Sequence, residues 1–373
     1  MNRNKERRAP VRIAVIGAGL IGRTHIAVLR SHHPEFTLAG VADPSPAARA
    51  EAQALGYACY ETIEAMLEKA RPDGAIVAVP NQMHVAAGLA CIARRVPIIV
   101  EKPISDSVAE ALRLVEAAEA AGIATLVGHH RRHNPIMREA ARLVREGGLG
   151  RLVAASATYL SHKPRGYHDL AWRREPGGGP VLINAIHDID CLRMLCGDVE
   201  TVQAQASNAV RGFAVEDTAA AVLRFKSGAL GTLICSDTAS SPWSWEWGSR
   251  ENPSFPYDQE NCFILAGTRG CLSLPTMVHR WHEAGKESWH TPLTTQRLHV
   301  APADAYTEQM INFAGVIRGT AEPVLSGRDG SLTLATTLAI SRSAEQGGAP
   351  VRVEDMMKAT TAASPASAKG ERP

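Results

Sequence analysis

The chain has 373 residues, 45% of them hydrophobic, which is enough apolar material for two separate cores. Its 40 Lys+Arg and 38 Asp+Glu leave a formal net charge of only +2, which argues against a dedicated nucleic-acid or membrane-surface role. No stretch is apolar over the roughly 20 residues that a transmembrane helix needs, and no apolar signal-peptide region follows the basic N-terminus. We therefore expect a cytoplasmic protein. Its 7 cysteines contain no C-x-x-C pair, so we expect reduced, mostly buried thiols.

The first third of the chain alternates short apolar runs with helical stretches. The predicted strands are Val11–Gly17, Phe36–Ala42, Gly74–Val79, Pro97–Val100 and Ala124–Val127. The predicted helices are Leu20–Arg30, Pro46–Leu55, Thr62–Lys69, Asn81–Arg94 and Ser105–Ala121. This alternation is typical of a parallel sheet with helices on both faces. We predict an α/β protein whose residues 1–130 form a doubly wound Rossmann domain.

After Gly150 the pattern changes to strands with few helices between them. The predicted strands are Leu152–Leu160, Val202–Ser207, Thr218–Phe225, Ala229–Thr238 and Cys262–Ala266, with hairpin turns at 227–228 and 268–270. Helices are predicted at Asn184–Leu195, Tyr306–Arg318 and near Gly330–Ser343. This pattern predicts a C-terminal α+β domain over 131–357 with an open, mostly antiparallel sheet, followed by a disordered tail at 358–373. An open sheet must cover its outer face, so we expect a homodimer or homotetramer.

A glycine-rich motif joins the first strand to the first helix. Residues 17–22 read Gly-Ala-Gly-Leu-Ile-Gly and match G-x-G-x-x-G in the required strand–turn–helix context. Gly17 permits the tight turn, Gly19 lets the backbone approach a pyrophosphate, and Gly22 lets the helix pack on the strand. Leu20 and Ile21 open the helix, whose free N–H groups and positive dipole end favour a diphosphate. We predict a dinucleotide site here.

An acidic residue ends the second strand. Asp43 lies about 20 residues beyond Gly22, where a carboxylate meets the hydroxyls of the adenosine ribose. The same carboxylate would repel the 2′-phosphate of NADP, so we predict NAD as the cofactor. Arg49, in the next helix, is the only nearby arginine that could accept that phosphate. The alternative is an Asp that merely begins a turn at Pro44.

Several motifs in the same order resemble those of the glucose–fructose oxidoreductase / inositol dehydrogenase (Gfo/Idh/MocA) family. They are Gly17–Gly22, Val41–Pro44, Val79–His84, Glu101-Lys102-Pro103, and Gly177–Gly179 leading into Ile186–Asp190. The resemblance covers about 11–274. It implies NAD(P)-dependent dehydrogenases of sugars and cyclitols, usually dimers or tetramers. It also implies that Pro80, Asn81, His84, Glu101 and Lys102 lie beside the cofactor.

Oxidation of an alcohol needs a base for the hydroxyl proton and a positive group near the developing alkoxide. Lys102 follows a parallel strand at the edge where such sheets bind ligands, and without its motif it would read as a surface lysine. His187 is the candidate general base, and Asp190, one turn on, is expected to fix its tautomer. Many members of the resembled family carry an Asp four residues before this His, where this chain has Ile183. Asn184 is then expected to hold substrate while Lys102 and His187 share the proton transfer.

Other polar groups are candidates for the substrate cleft: Arg131, Asn134, Lys163, Tyr167 and Trp245. The cluster Trp243–Trp247 is equally consistent with a saccharide platform and with a packing plug or subunit contact. His129 and His133 have metal-ligand spacing, but no nearby Cys, Asp or Glu completes a site, so we expect no metal.

These features together predict an NAD-dependent dehydrogenase that oxidises a secondary hydroxyl of a sugar, sugar acid or cyclitol. One alternative keeps the class but uses NADP, or reduces an imine or aldehyde. A second alternative is a non-catalytic nucleotide-binding regulatory protein, which would need neither Lys102 nor His187.

Overall fold

The computed structural model describes residues 9–358, so the predicted tail lies, apart from its first residue, outside the described residues. The N-terminal part is a six-stranded sheet in the order β3-β2-β1-β4-β5-β6, parallel throughout. Its strands are β1 Val11–Ile16, β2 Phe36–Ala42, β3 Cys59–Tyr60, β4 Gly74–Val77, β5 Ile98–Val100 and β6 Thr125–Val127. The predicted Rossmann sheet is confirmed. The short edge strand β3 escaped prediction because two residues carry no readable periodicity.

Five helices cover this sheet. They are α1 Leu20–Leu29, α2 Pro46–Leu55, α3 Ile63–Ala70, α4 His84–Ala93 and α5 Val108–Ala121. Helix α5 begins three residues later than predicted because Ser107, and not an earlier residue, is the N-cap, its side chain accepting from the N–H of Glu110. It ends at Gly122, which adopts the left-handed conformation typical of a helix C-terminus.

The C-terminal part is a nine-stranded mixed sheet in the order β14-β13-β12-β11-β7-β10-β9-β8-β15. Its strands are β7 Leu152–Leu160, β8 Val199–Ser207, β9 Thr218–Phe225, β10 Leu230–Ser236, β11 Phe263–Gly267, β12 Gly270–Leu274, β13 Val278–Trp281, β14 Thr294–Arg297 and β15 Val351–Arg352. Only the β7–β10 pairing is parallel. The predicted open, mostly antiparallel sheet is confirmed.

One face of this sheet is covered and the other is open. The remaining helices are α6 Pro135–Arg145, α7 Ile186–Cys196, α8 Trp245–Ser249, α9 Ala305–Ile317, α10 Gly327–Glu345 and α11 Val353–Lys358. Helices α7 and α10 pack on β7 and β8. Along β9 buried and exposed residues alternate, as a sheet with one solvated face requires. The open face carries apolar side chains, among them Val222, 48% exposed, and Ile264, 54% exposed.

Helix α9 returns the chain to the Rossmann domain. Its Met310 and Phe313 join the apolar cluster that contains Ile13 and Phe36. This packing places Tyr306, in the first turn of α9, at the carboxyl edge of the parallel sheet, where its ring lies against His25 and His130. In residues 9–358 no helix combines the length and apolarity needed to cross a membrane.

Candidate active site

The glycine loop has the shape that a dinucleotide requires. Gly17 has φ +97°, and a Cβ there would lie 2.6 Å from the carbonyl oxygen of Ala78. A Cβ on Gly22 would lie 2.0 Å from the carbonyl oxygen of Gly17. A Cβ on Gly19 would meet nothing within 4 Å, so the backbone there faces open space. Leu20 is exposed and Ile21 half-buried at the N-terminus of α1. The loop leaves room for a pyrophosphate directly against backbone N–H groups.

Asp43 is built into the same loop. Its Oδ2 accepts a hydrogen bond from the N–H of Ala18 at 2.8 Å, and its Oδ1 accepts one from the N–H of Ser45 at 2.8 Å. The carboxylate is therefore held at the edge of the glycine turn. Arg49 lies closer than its place in α2 suggests, because its guanidinium turns back and donates to the carbonyl of Pro44 at 2.8 Å.

His84 holds two loops together instead of facing a cofactor. It is buried, and its Nδ1 and Nε2 each lie 2.9 Å from a carbonyl oxygen, those of Pro103 and Val79 respectively. Burial lowers the pKa of this imidazole, and hydrogen bonds to these carbonyls oppose that shift. The predicted direct contact with cofactor is thus replaced by a bridge between the loops after β4 and β5. Pro80 is exposed and Asn81 half-buried at the start of the first of these loops.

Glu101 also makes its hydrogen bonds to other residues of the chain. Its Oε1 lies 2.6 Å from His25 Nε2, and its Oε2 accepts from the backbone N–H of Lys102 at 3.2 Å. Burial favours the neutral acid, but the hydrogen bond and charge of His25 outweigh it and lower the pKa of Glu101. Both oxygens of this carboxylate, predicted to contact the cofactor, are occupied by the protein. Its effect is to hold the backbone of Lys102.

Lys102 reaches from the Rossmann sheet to the second domain. Its Nζ donates to the carbonyl oxygen of Ile183 at 2.9 Å. Residues 181–185 form a turn of π-helix, in which the carbonyl is available for such a bond. Burial, with the charges of Arg131 and Lys163, lowers the pKa of Lys102 to about 8, while Glu101 opposes the shift. The ammonium is therefore oriented by a backbone carbonyl at the position of the missing aspartate.

His187 lies at the start of α7 and is buried, with no hydrogen-bond partner for its Nδ1 in the described part of the chain. Burial, and next the positive charge of Lys102, hold the pKa of His187 well below its usual value, so the imidazole is neutral at physiological pH. The pairing predicted with Asp190 is wrong. Asp190 Oδ2 accepts from Arg132 Nε at 2.7 Å, and its Oδ1 accepts from Arg132 Nη2 and Thr333 Oγ1, each at 2.8 Å. Spacing of one turn did not bring the two side chains together because Asp190 faces α10.

A histidine–carboxylate pair does lie beside His187, formed by residues that the sequence did not single out. His130 Nε2 is 3.0 Å from Glu251 Oε1. The His130 ring stacks on Tyr306 at 4.4 Å and meets His187 edge-on at 5.3 Å. Glu251 and Tyr306 come from a loop and a helix more than 100 residues downstream, so no local pattern relates them to His130.

Two predicted substrate ligands have structural partners instead. Asn134 caps α6 by accepting from the N–H of Ile136, and it donates to Glu251 Oε2 at 2.6 Å. Arg131 is buried between two carboxylates, donating to Asp188 at 2.8 Å and to Glu246 at 2.6 Å. Their hydrogen bonds stabilise the loop after β6. Asn134 and Arg131 thus have partners within the protein, and their assignment as substrate ligands stays a prediction.

Of the other candidates, one is buried in the core and three are half-buried. Trp245 is 1% exposed and packs edge-on against Phe263, so it belongs to the core and not to a saccharide platform. Asn184 is half-buried and its Oδ1 has no hydrogen-bond partner among residues 9–358. Lys163 and Tyr167 are half-buried together, with Lys163 Nζ 4.7 Å from the ring centroid of Tyr167. Within the described chain no three His, Cys, Asp or Glu side chains are placed to hold a metal ion.

A glycine loop of the dinucleotide type, with a lysine that joins the carboxyl edge of the parallel sheet to the turn before His187, is typical of nicotinamide-dependent oxidoreductases. Comparison with known proteins gives the family. Residues 11–129 match the profile described as oxidoreductase family, NAD-binding Rossmann fold, and residues 137–273 match the GFO/IDH/MocA C-terminal domain. The chain belongs to the GFO/IDH/MocA family of NAD(P)-dependent oxidoreductases.

Relatives and solved structures agree with this assignment. The chain is 26% identical over 345 residues to 1,5-anhydro-D-fructose reductase of Ensifer adhaerens, covering 91% of this chain and 97% of the relative. It is 27% identical over 348 residues to myo-inositol 2-dehydrogenase of Thermotoga maritima, covering 90% and 97%. The WlbA dehydrogenase of Bordetella pertussis, solved with NADH and UDP-GlcNAcA, superimposes with a TM-score of 0.73 at 24% identity, covering 92% of this chain and 98% of that one. The last of these shows a common fold.

Proposed function

We propose that the protein is an NAD-dependent dehydrogenase that oxidises a secondary hydroxyl of a sugar, sugar acid or cyclitol. The observation that carries this proposal is the bond from Lys102 to the carbonyl of Ile183, four residues before His187. It joins the carboxyl edge of the nucleotide-binding sheet to the helix that carries the base. The names of the relatives, a reductase of an anhydrosugar and a dehydrogenase of an inositol, support the substrate class.

The cofactor would be held by the turn at 17–22, with the ribose hydroxyls at Asp43. The fit rests on the open face at Gly19 and on the carboxylate anchored to Ala18. Pro80 and Asn81 would border the same edge, while His84 and Glu101 act by fixing the loops. Bound NAD supplies the acceptor for the hydride that leaves the carbinol carbon.

Residues of the chain then accept the proton and stabilise the developing negative charge. Neutral His187 accepts the hydroxyl proton, since a base must be unprotonated to act. The Lys102 ammonium stabilises the oxygen as negative charge develops on it, in a site where burial strengthens the interaction. Asn184, with its unpartnered amide oxygen, accepts a hydrogen bond from a neighbouring substrate hydroxyl. A nucleotide-binding scaffold would have no use for a buried lysine, which argues against the non-catalytic alternative.

A panel of polyols, sugars and sugar acids with NAD, followed by the absorbance of NADH, tests the proposal. We expect turnover of at least one member, abolished in Lys102→Ala. No turnover with NAD or NADP across the panel, in either direction, would contradict it.

The preference between cofactors is a separate expectation. Asp43 would repel the 2′-phosphate of NADP, so kcat/KM should be higher with NAD. Asp43→Ser should narrow the difference by about tenfold, which corresponds to ~1.4 kcal/mol. The guanidinium of Arg49 already lies beside Pro44. Adding Arg49→Gln to the Asp43→Ser variant tests whether this guanidinium binds the 2′-phosphate of NADP. Equal use of both cofactors by the unmodified protein would refute the preference.

Assembly follows from the open face of the C-terminal sheet. We propose that a second copy covers the apolar side chains of this face, giving a dimer or tetramer. Light scattering at micromolar concentration should report at least twice the monomer mass, and Ile264→Lys should lower it. A monomeric unmodified protein would contradict this proposal.

A further inference from the structure

The segment between β7 and the π-helical turn is basic, and its lysine and arginines form no ion pairs with the described carboxylates. Residues 161–180 include four cations, Lys163, Arg165, Arg173 and Arg174, against two acids. Across the described residues, none of the four lies within 4.0 Å of a carboxylate oxygen, although ion pairs are common elsewhere, as between Arg211 and Asp237. The segment therefore carries uncompensated positive charge.

Two of these cations contact one aromatic ring. Lys163 Nζ lies 4.7 Å from the ring centroid of Tyr167, and Arg173 Cζ lies 3.9 Å from it. Each contact is worth about 0.5–1 kcal/mol at exposed sites, but it leaves the charge itself unpaired. Arg173 Nη1 donates to the carbonyl of Tyr167 at 2.7 Å, and its buried Nε has no partner within the described chain. Two like charges are thus held close together with donor capacity to spare.

The nearest acids are already engaged. Asp237 accepts from Arg211 Nε at 3.0 Å, and its other oxygen lies 3.3 Å from His168. Glu246 accepts from Arg131 at 2.6 Å, which leaves one of its oxygens unpartnered among the described residues. Burial lowers the pKa of Lys163, and Arg173 and Arg211 lower it further against the opposing charges of Glu246 and Asp237. These two carboxylates therefore act on Lys163 from a distance and form no ion pair with Lys163 or Arg173.

This cluster belongs to the reaction site. Lys102 donates to the carbonyl of Ile183, in the π-helical turn that directly follows this segment, and the charge of Lys163 acts on the same ammonium group. The segment is also fixed to the glycine turn before His187. A Cβ on Gly178 would lie 2.7 Å from Arg173 Cα and 2.4 Å from the carbonyl oxygen of Trp172. Arg173 therefore has a set position relative to the helix that carries the base.

We propose that the substrate carries an anionic group, bound by Lys163 and Arg173, while its reacting hydroxyl lies at Lys102 and His187. The substrate class is then an acidic sugar, and a neutral sugar or cyclitol is disfavoured. A carboxylate or a phosphate matches the donors, since both accept paired hydrogen bonds from a guanidinium. This inference rests on the proposed function of the same site and specifies its substrate.

Matched substrates test it: glucose, glucuronate and glucose 6-phosphate, with galactose and galacturonate as a second set. We expect kcat/KM for the acid to exceed that of the neutral partner by at least tenfold at low ionic strength, and to fall as salt is added. Lys163→Met and Arg173→Gln should each raise KM for the acid by about 10- to 100-fold, since a hydrogen bond to a charged group contributes about 1.5–3 kcal/mol. Turnover of the uronates indicates a carboxylate, and turnover of the phosphate alone indicates a phosphoryl group.

Arg165→Gln is the matched control, because it removes one exposed charge of the same segment without touching Tyr167. It should leave KM for the acid within about threefold. An equal effect of R165Q and R173Q would assign the preference to net charge and overturn the site.

Binding is measured independently of turnover by the thermal shift of the NADH complex. Glucuronate or glucose 6-phosphate should raise Tm of the unmodified protein, glucose should not, and K163M should abolish the effect. Turnover of neutral polyols that exceeds that of the acids and is unchanged in K163M would overturn this inference and leave the proposed function intact. A Tm shift by the acids without oxidation of any sugar would keep the anion site and overturn the proposed function. If neither a Tm shift nor oxidation of any sugar is observed, this inference and the proposed function are both overturned.

Discussion

Buried polar groups lie on two sides of helix α7, and the two sides differ in whether these groups have hydrogen-bond partners. On one side, Asp190 receives three hydrogen bonds from Arg132 and Thr333. The same threonine hydroxyl also accepts from Arg193 at 2.6 Å. On the other side, His187 Nδ1, and Asn184 Oδ1 in the π-helical turn just before α7, are buried and have no partner among residues 9–358.

The difference separates two sets of buried polar groups on α7 and on the π-helical turn before it. Buried polar groups in a folded protein are almost always paired, and an unpaired one needs an explanation. Both oxygens of the Asp190 carboxylate are paired, so we expect Asp190, Arg132 and Thr333 to contribute to stability. His187 Nδ1 and Asn184 Oδ1 have no partner among the described residues, so we expect these two residues to act on substrate.

The largest expected effect is on the His187 side. Lys102→Ala should lower kcat by about 10²-fold or more, because the developing alkoxide loses its positive partner. His187→Ala should lower kcat by roughly 10²–10⁴-fold. The losses should not add in the double variant, since both serve one proton transfer. Steady-state kinetics measures this, with NAD binding by fluorescence as the control, which should be unchanged. Near-normal kcat in both single variants would place the chemistry elsewhere.

Asp190→Ala should lower the free energy of unfolding and leave kcat nearly unchanged. It leaves Arg132 buried without its carboxylate, which typically costs about 3–5 kcal/mol. Urea denaturation should show this loss, while kcat of the protein that remains folded stays within a few-fold. A fall in kcat comparable with that of His187→Ala, without loss of stability, would restore Asp190 as the partner of His187.

The pH profile gives an effect of intermediate size. The pKa of Lys102 is about 8, so its charge is present below that pH and is lost as pH rises through it. We expect kcat/KM for the sugar to fall about tenfold per pH unit above that value. Lys102→Arg, whose charge persists beyond pH 12, should lower the maximum but remove this alkaline limb. A rate that instead rises through pH 9 would identify the neutral lysine as the base.

The smallest expected effect is that of Thr333→Val, which nearly preserves the shape of the side chain. It removes one hydrogen bond to Asp190 and one from Arg193, and should cost about 1–3 kcal/mol of unfolding free energy. Thermal unfolding checks this, with Thr336→Val as the matched control, because that hydroxyl bonds only to the carbonyl of Leu332 on its own helix. A change in KM for substrate would show that the two sides of α7 are not separate.

Local sequence was sufficient for much of the fold. The glycine loop, the strand that ends at Asp43 and the alternation of strands and helices depend on contacts within about 30 residues. The outer strands β12–β14 and helix α6 were missed, although Asn134 followed by Pro135 is a good start for a helix.

The site was predicted only where a motif carries it. Lys102 and His187 were found through the Glu101-Lys102-Pro103 and glycine–helix motifs, and in the structure Lys102 bonds to the π-helical turn that leads into the helix of His187. The pairing predicted for Asp190 was wrong, and Asn134, Arg131 and Trp245 have partners that the local sequence does not indicate. Spacing on a helix shows which side chains share a face, but not which neighbour that face meets.

The sequence by itself determined a two-domain oxidoreductase with a glycine-rich nucleotide loop, an acid at the end of the second strand and a lysine at the edge of a parallel sheet. These features are properties of short segments, and their chemistry is set by residue type and backbone geometry. Only the tertiary structure decided that Glu251 and Tyr306 lie beside His130 and that Asp190 pairs with Arg132. It also decided that Lys163 and Arg173 form no ion pair with a described carboxylate. Hydrogen bonds and charges between distant segments depend on how the two domains and α9 pack, and packing of that kind leaves no local pattern in the chain.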